Sequence, residues 1–314
     1  MRLVTFAVDD DERVSLGALL GDWVLDLARA NAELKLVGNY GPLPTGIRSF
    51  LEAGERAWET ALRLVELAKE RLSGGEDELA KEGLLYPKGR VRLKAPVPEP
   101  QKIIAIGLNY IDHCREQGLE PPKEPLIFAK YPSAIIGPDE PITWPDGLTE
   151  QVDYEAELAV VIGRRARAVP EVKAFEYIAG YTILNDVSAR DLQFADRQWV
   201  RAKSLDTFCP LGPALVSKDE VDNPHRLRIR CYLNSKLMQD STTANLIFDI
   251  PYLVSFLSRA FTLSPGDIIA TGTPGGVGVF RNPPIFLKAG DLVEAEIERL
   301  GILRNPVGGP QKEG

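Results

Sequence analysis

Five consecutive apolar residues, 158–162, follow two glutamates, Glu155 and Glu157. Such a short apolar run is typical of a strand that is buried on both faces. Side chains at positions i and i+2 of a strand point to the same face, so the two carboxylates lie side by side where the strand begins. Burying two like charges unpaired is costly, and a hard divalent cation would neutralise them. The pattern indicates half of a Mg²⁺ or Mn²⁺ site, although a solvated acidic strand end has the same sequence.

Composition and charge narrow the class of protein. The 314 residues are 44% hydrophobic and 26% charged, which predicts a globular protein of about two domains. A net charge of −8 argues against a nucleic-acid partner, because phosphate binding needs a basic surface. No apolar run approaches the roughly 18 residues of a membrane span, and the N-terminus lacks the features of a signal peptide. The three cysteines form no CxxC pattern, so we expect a cytoplasmic protein without disulfides or zinc.

Residues 1–98 are predicted to form a small N-terminal α+β domain. Alternating apolar residues predict strands at residues 2–8 and 13–19. Apolar residues at spacings of three and four predict a helix over residues 55–72, which the glycines at 74 and 75 would end. Four prolines within residues 85–102 predict an extended linker to the second domain.

Residues 99–314 are predicted to form the larger, catalytic domain, a β-rich α+β body rather than a doubly wound parallel sheet. Residues 226–234 alternate between apolar and polar side chains, which is typical of a half-buried strand. Four further elements are expected downstream of residue 180: strands at 267–271 and 291–300, and helices at 188–198 and 250–260.

Further residues have the chemistry of a site. Asp186 follows an apolar segment and would give Glu155 and Glu157 a third hard oxygen ligand, leaving room for water or substrate. Asp153 shares their parity, and an indirect role or a solvent-facing one fits it equally well. If the segment around His113 is a short helix, Glu116 at i+3 lies beside the imidazole. A carboxylate there would fix the tautomer of His113 and suit it to act as a general base.

The glycine-rich segment 271–278 matches neither GxGxxG nor GxxxxGK[ST], so no nucleotide cofactor is expected. It is typical of a loop that approaches a ligand closely, with backbone N–H groups and the Thr273 hydroxyl as donors. Taken alone, Lys203 fits a surface lysine and His225 a solvent-facing loop residue.

Seven segments, in order, closely resemble the fumarylacetoacetate hydrolase family, in particular its fumarylacetoacetate hydrolase domain-containing branch. They lie within residues 103–307 and occupy residues 107–113, 130–138, 153–158, 185–191, 202–204, 271–278 and 286–291. One departure is Tyr131, where a small or polar residue is expected after Lys130. Its side chain is expected to reshape the entrance of the pocket.

The resemblance implies a mixed-sheet β-roll with a smaller N-terminal domain, a homodimer, and Mg²⁺ or Mn²⁺ as the cofactor. It implies that three carboxylates are metal ligands: Glu155, Glu157 and Asp186. It implies that His113 is a base with Glu116 as its partner on a mobile lid, and that Lys203 faces the substrate. It implies polar contacts to the substrate from Arg190, Gln193, Gly272 and Thr273.

The implied activity is metal-dependent chemistry on small 2-oxo acids through an enolate. Hydrolytic C–C cleavage of acylpyruvate or fumarylacetoacetate-like substrates is favoured, because a histidine–glutamate pair suits the activation of water. An isomerase or decarboxylase of 2-hydroxymuconate-type acids or oxaloacetate, in aromatic catabolism, is the alternative enzyme. A metal-binding member without catalytic activity is the alternative outside enzymes.

Overall fold

A computed structural model of the chain describes residues 1–8, 11–34, 41–73 and 78–312. The strands are β1 Arg2–Val8, β2 Asp11–Leu20, β3 Trp23–Asp26, β4 Leu85–Pro87, β5 Val91–Lys94, β6 Ile103–Gly107, β7 Leu126–Lys130, β8 Ile135–Ile136, β9 Ile142–Pro145, β10 Val152–Asp153, β11 Ala156–Ile162, β12 Ile178–Asn185, β13 Ser188–Ala189, β14 Cys209–Ser217, β15 Arg228–Leu233, β16 Lys236–Thr242, β17 Ile268–Ala270, β18 Leu292–Ile297 and β19 Gly301–Gln311. The helices are α1 Leu27–Leu34, α2 Ile47–Ala53, α3 Glu55–Ser73, α4 Glu78–Lys81, α5 Ile111–Glu116, α6 Arg190–Ala195, α7 Val200–Lys203 and α8 Ile250–Ala260.

Two large mixed sheets form the body of the protein. The larger sheet has the order β4-β3-β2-β1-β14-β12-β11-β17-β6-β7, with β5 beside β1 and β8 beside β14. The second has the order β16-β15-β18-β19-β9. Most neighbours are antiparallel, but three pairs are parallel: β6 with β17, β8 with β14 and β9 with β19. The predicted β-rich α+β architecture is therefore confirmed.

The N-terminal strands are part of the larger sheet. β1 pairs with β2 along one edge; along the other edge it pairs with β14 of the body through Arg2 and Leu3 and with β5 through residues 5–8. The expected linker, residues 85–102, instead contains β4 and β5, since its prolines leave residues 91–94 free to pair with β1. The boundary at residue 98 stays a prediction.

Most predicted elements are present with small changes at their ends. α3, α8 and β15 occupy the predicted segments, and the apolar face of β15, Ile229 and Cys231, is buried. The helix predicted over residues 188–198 was too long, because Ser188 and Ala189 pair with β10 as a strand and the helix ends at Ala195. No helix in the described segments is long and apolar enough to cross a membrane.

The pairing of four central strands collects polar residues at one end of the larger sheet. β11 is buried throughout and runs antiparallel to β12, so that Ala156 lies beside Asn185. β17 is antiparallel to β11, and β6 is parallel to β17. The start of β11 therefore meets the ends of β12, β17 and β6, and the loops that follow these strands share one edge.

Candidate active site

Three carboxylates form a buried cluster at this edge. One oxygen from each of Glu155, Glu157 and Asp186 lies within 4.8 Å of the others. Glu155 and Glu157 stand at the start of β11, and Asp186 follows β12, where its N–H donates to the backbone oxygen of Glu155 at 2.8 Å. The antiparallel pairing of β11 with β12 thus brings together the three residues, hereafter the acidic triad, that the sequence pattern had linked.

Among the described residues, three cations touch the triad, and two of them contact Glu155. The Nζ of Lys203 lies 2.7 Å from Glu155 Oε2 and 2.7 Å from Asp186 Oδ2, and Arg190 Nη1 lies 2.6 Å from Glu155 Oε1. Lys203 is 2% exposed, so it is not the surface lysine that its local sequence suggests. Burial raises the pKa of Glu155, but the charges of Lys203 and Arg190 outweigh burial and lower this pKa to about 2.

Glu157 has a different environment. It accepts a hydrogen bond from the N–H of Gly272 at 2.8 Å, and no ion pair reaches it from the described residues. Burial, followed by repulsion from Asp186 and Glu155, raises its pKa well above the usual range. A cluster of hard oxygens that includes a carboxylate without a counter-charge fits a divalent cation such as Mg²⁺ or Mn²⁺. These three residues would hold it.

Lys130 and Asp153 support the cluster from behind. Lys130 is fully buried; its Nζ lies 2.6 Å from Asp186 Oδ1 and also donates to the backbone oxygen of Lys203. Asp153 is also buried and accepts from Arg190 Nε at 2.9 Å and from the N–H groups of Gly278 and Val279. Of the two roles open to Asp153, the structure is consistent with the indirect one, because Asp153 holds Arg190 and has no exposure to solvent.

The histidine–glutamate pair, His113 and Glu116, lies on α5. The Nδ1 of His113 is 2.6 Å from Glu116 Oε1, the i, i+3 contact that a short helix predicts. A carboxylate accepts hydrogen bonds, so Nδ1 is the donor in this contact, and in a neutral imidazole the lone pair is then on Nε2. The other oxygen of Glu116 accepts from the N–H of Gly276 at 2.7 Å, which anchors the pair to the glycine-rich loop.

Two donors predicted to face a ligand have partners inside the protein. The N–H of Gly272 donates to Glu157, and the hydroxyl of Thr273 donates to the backbone oxygen of Ala156 at 2.9 Å. Thr273 also accepts from Gln239 Nε2 at 2.8 Å, while Gln239 Oε1 accepts from the N–H of Ala156 at 3.0 Å. Direct contact of Gly272 or Thr273 with substrate stays a prediction. Gln239 was missed, because no local motif marks this residue of β16.

One cavity of about 150 Å³, a size that suits a small organic acid, is lined by Glu155 and Glu157 of the triad and by His113 of the pair. Its polar lining includes Arg190, Lys203 and Gln193, whose Oε1 accepts from Arg190 Nη1 at 2.9 Å. The remaining lining is largely apolar and includes Leu119, Phe128, Phe194, Trp199 and Phe280. Tyr131 is 57% exposed and lines a neighbouring surface groove rather than the cavity, so its expected effect on the entrance stays a prediction.

Comparisons with known proteins identify relatives of this chain. The family model for "Fumarylacetoacetate (FAA) hydrolase C-terminal" matches residues 102–308. The chain is 45% identical over 312 residues to "Oxaloacetate tautomerase fahd2, mitochondrial" of Xenopus laevis, covering 98% of this chain and 90% of that protein.

Two solved structures extend the comparison. One is 5-carboxymethyl-2-hydroxymuconate delta-isomerase from Mycobacterium smegmatis, with 37% identity, a TM-score of 0.73, and 98% of this chain and 100% of that chain covered. The other is maleylpyruvate hydrolase from Sphingobium sp. SYK-6 in complex with manganese (II) ion and pyruvate. Its identity is 31% and its TM-score 0.72, with 99% of this chain and 100% of that chain covered.

Proposed function

The chain belongs to the fumarylacetoacetate hydrolase family, and on that premise we propose that it is a divalent-metal-dependent enzyme that interconverts the keto and enol forms of oxaloacetate. The observation that carries the proposal is the His113–Glu116 pair, joined at 2.6 Å, whose imidazole lines the same cavity as Glu155 and Glu157 of the acidic triad. A base opposite a cation site is the arrangement that proton transfer beside a carbonyl group requires. The 45% identity to an oxaloacetate tautomerase supports this choice of substrate.

The acidic triad would hold the cation, Mg²⁺ or Mn²⁺. When bound, such a cation polarises the keto group of a 2-oxo acid and lowers the energy of its enolate. Lys203 and Arg190 also line the cavity and add two positive charges beside the triad. Their proposed work is to hold the carboxylate of the substrate and the negative charge that develops on its 2-oxygen.

The pair would move the proton. Nε2 of His113 takes a proton from C3, the C–H electrons form the C2–C3 double bond, and the 2-oxygen becomes negative. A proton from solvent at that oxygen then completes the enol. Glu116 stabilises the imidazolium that forms, and the N–H of Gly276 keeps Glu116 in place. In the reverse direction, the imidazolium returns the proton to C3.

Hydrolytic C–C cleavage of an acylpyruvate is the second candidate. The same base can deprotonate a water molecule that attacks the distal carbonyl, and cleavage of the bond from that carbonyl to C3 would release a carboxylic acid and the enolate of pyruvate. The similarity to maleylpyruvate hydrolase supports it. Decarboxylation of oxaloacetate and isomerisation of a hydroxymuconate acid would use the same cation site. Neither needs the base to activate water: the first forms the enolate by loss of CO₂, and the second needs proton transfer alone.

The experiment follows the ultraviolet absorbance of enol-oxaloacetate and, in parallel, pyruvate release from acetylpyruvate and oxaloacetate. Each is measured with Mg²⁺ and after chelation. We expect metal-dependent conversion of the enol above the uncatalysed rate, with little pyruvate. Metal-dependent pyruvate release from acetylpyruvate would replace the tautomerase with the hydrolase. Binding of metal without turnover of any of these acids would favour the non-catalytic alternative.

We also propose a homodimer in the cytoplasm with two structural units that divide near residue 98. Light scattering tests the homodimer, with an expected mass of twice 34.6 kDa. The Xenopus relative is described as mitochondrial, so fractionation of source cells tests the cytoplasmic location. Limited proteolysis around residues 118–122, with and without oxalate and metal, tests the predicted lid.

A further inference from the structure

Lys203 lies where it contacts two of the three triad carboxylates at once. Its Nζ is 2.7 Å from Glu155 Oε2 and 2.7 Å from Asp186 Oδ2, and 5.4 Å from the ring centre of Phe128. The side chain is buried but lines the substrate cavity. Oxygens that would bind a divalent cation are therefore hydrogen-bonded to an ammonium group.

Each carboxylate that Lys203 contacts also has a second cation. Arg190 Nη1 lies 2.6 Å from Glu155 Oε1, and Lys130 Nζ lies 2.6 Å from Asp186 Oδ1. These partners approach the other oxygen of each carboxylate. Removing the charge of Lys203 would thus leave Glu155 and Asp186 paired, which predicts that a neutral variant of Lys203 folds.

A divalent cation and an ammonium group repel each other strongly at contact distance in a buried site. Both also require the same oxygen lone pairs. We propose that Lys203 is a built-in competitor of the divalent cation: its ammonium must give up Glu155, Asp186 or both when the cation binds the triad. The freed ammonium is then available to the substrate in the cavity that it already lines. This inference rests on the proposed function, because it requires that the triad binds a cation.

The first test measures Mn²⁺ affinity by calorimetry in the absence of substrate. Lys203→Met should bind Mn²⁺ about tenfold more tightly than the wild type, or better, because the competing charge is gone. The same variant should lose turnover, because the substrate loses its ammonium partner. Equal or weaker Mn²⁺ binding by a folded Lys203→Met variant would overturn the inference.

Two lysines serve as matched controls. Lys130→Met makes the same chemical change on the other oxygen of Asp186. If it increases Mn²⁺ affinity as much as Lys203→Met does, loss of any nearby positive charge rather than competition for the same oxygens explains the increase, and the inference is overturned. Lys102 pairs with buried Asp267 at 2.5 Å, outside the triad. Lys102→Met should leave both Mn²⁺ affinity and turnover unchanged, and a tenfold gain there would also count against the inference.

Crystal structures of the wild type with and without Mn²⁺ test the same idea without a variant. With Mn²⁺ bound, Lys203 Nζ should have moved beyond hydrogen-bond distance of Glu155 Oε2, Asp186 Oδ2 or both. Retention of both contacts beside a triad-bound Mn²⁺ would overturn the competition but leave the proposed function intact. If neither the wild type nor Lys203→Met binds Mn²⁺, the proposed function fails, and this inference fails with it.

Discussion

The acidic triad and the histidine–glutamate pair both contribute to one cavity, the triad through Glu155 and Glu157 and the pair through His113, but the fold holds them in different ways. The triad stands at the ends of paired, fully buried strands, and charged side chains fix it from several sides. The pair lies on the six-residue helix α5 and is fixed by contacts from loops and sheet edges. Glu116 accepts from Gly276, and Asp112 accepts from Ser241 of the second sheet.

This difference suggests a division of labour. A rigid cation site suits a step that a tautomerase, an isomerase and a hydrolase of 2-oxo acids share, the stabilisation of an enolate. The proton-transferring group decides which proton moves, and a short helix can be repositioned more easily than a central strand. We therefore expect changes to the triad to abolish every reaction, and changes to the pair to alter rate or reaction type.

Removal of the metal should have the largest effect. Chelation should lower turnover by at least about 1,000-fold, because the enolate would lose several kcal/mol of stabilisation. Added Mg²⁺ or Mn²⁺ should restore it. A steady-state assay before chelation, after chelation and after metal addition measures this. Full activity in the chelated protein would show that the triad does not act through a bound cation.

Replacement of His113 should come next. His113→Ala should lower turnover by about 100- to 10,000-fold, the usual contribution of a positioned base. Mn²⁺ affinity should stay close to that of the wild type, because the side chain is not one of the triad. Calorimetry and turnover are measured on the same preparation. Loss of both turnover and Mn²⁺ affinity would mean that the pair and the triad do not have separate roles.

Glu116→Gln should have a smaller effect. The amide keeps the shape but cannot stabilise the imidazolium, so kcat should fall by about 10- to 100-fold with little change in KM. Glu116→Asp shortens the side chain but keeps its charge, and it should retain more activity. If both variants match the wild type in kcat, Glu116 has no part in the reaction.

Gly276→Ala should have the smallest effect. Gly276 has a φ of 102°, and a Cβ there would lie 2.4 Å from the backbone oxygen of Met238. We expect a loss of about 1–3 kcal/mol in the free energy of unfolding and a several-fold loss of turnover as Glu116 loosens.

Gly290 provides a matched control, with a φ of 90° and open space at the Cβ position. Gly290→Ala should share the backbone strain but keep wild-type turnover. Equal turnover losses in the two variants would show that general destabilisation, not the loop contact to Glu116, lowers activity.

The sequence predicted what local spacing determines. The i, i+2 spacing of Glu155 and Glu157 and the i, i+3 spacing of His113 and Glu116 both led to the observed neighbours. Lys130 escaped notice as a site residue because its contact with Asp186 joins positions 56 residues apart, which no local pattern reveals.

The glycine-rich loop illustrates the same limit. Its sequence predicts donors that face a ligand, but the N–H of Gly272 donates to Glu157 and the hydroxyl of Thr273 donates to the backbone oxygen of Ala156. Whether a donor is free depends on which strands are neighbours, here β11 and β17. The order of strands in a mixed sheet follows from long-range packing, so spacing within one segment cannot predict it.

The most direct measurement is deuterium incorporation at C3 of oxaloacetate in D₂O, followed by NMR with Mg²⁺ and corrected for the uncatalysed rate. It reports the proposed proton transfer itself, whichever product the enzyme releases. The wild type with Mg²⁺ should exchange rapidly, while the chelated wild type and Mg²⁺-loaded His113→Ala should exchange at the uncatalysed rate. Rapid exchange by His113→Ala would contradict the role of the histidine–glutamate pair in proton transfer. Rapid exchange by the chelated wild type would contradict the role of a cation held by the triad.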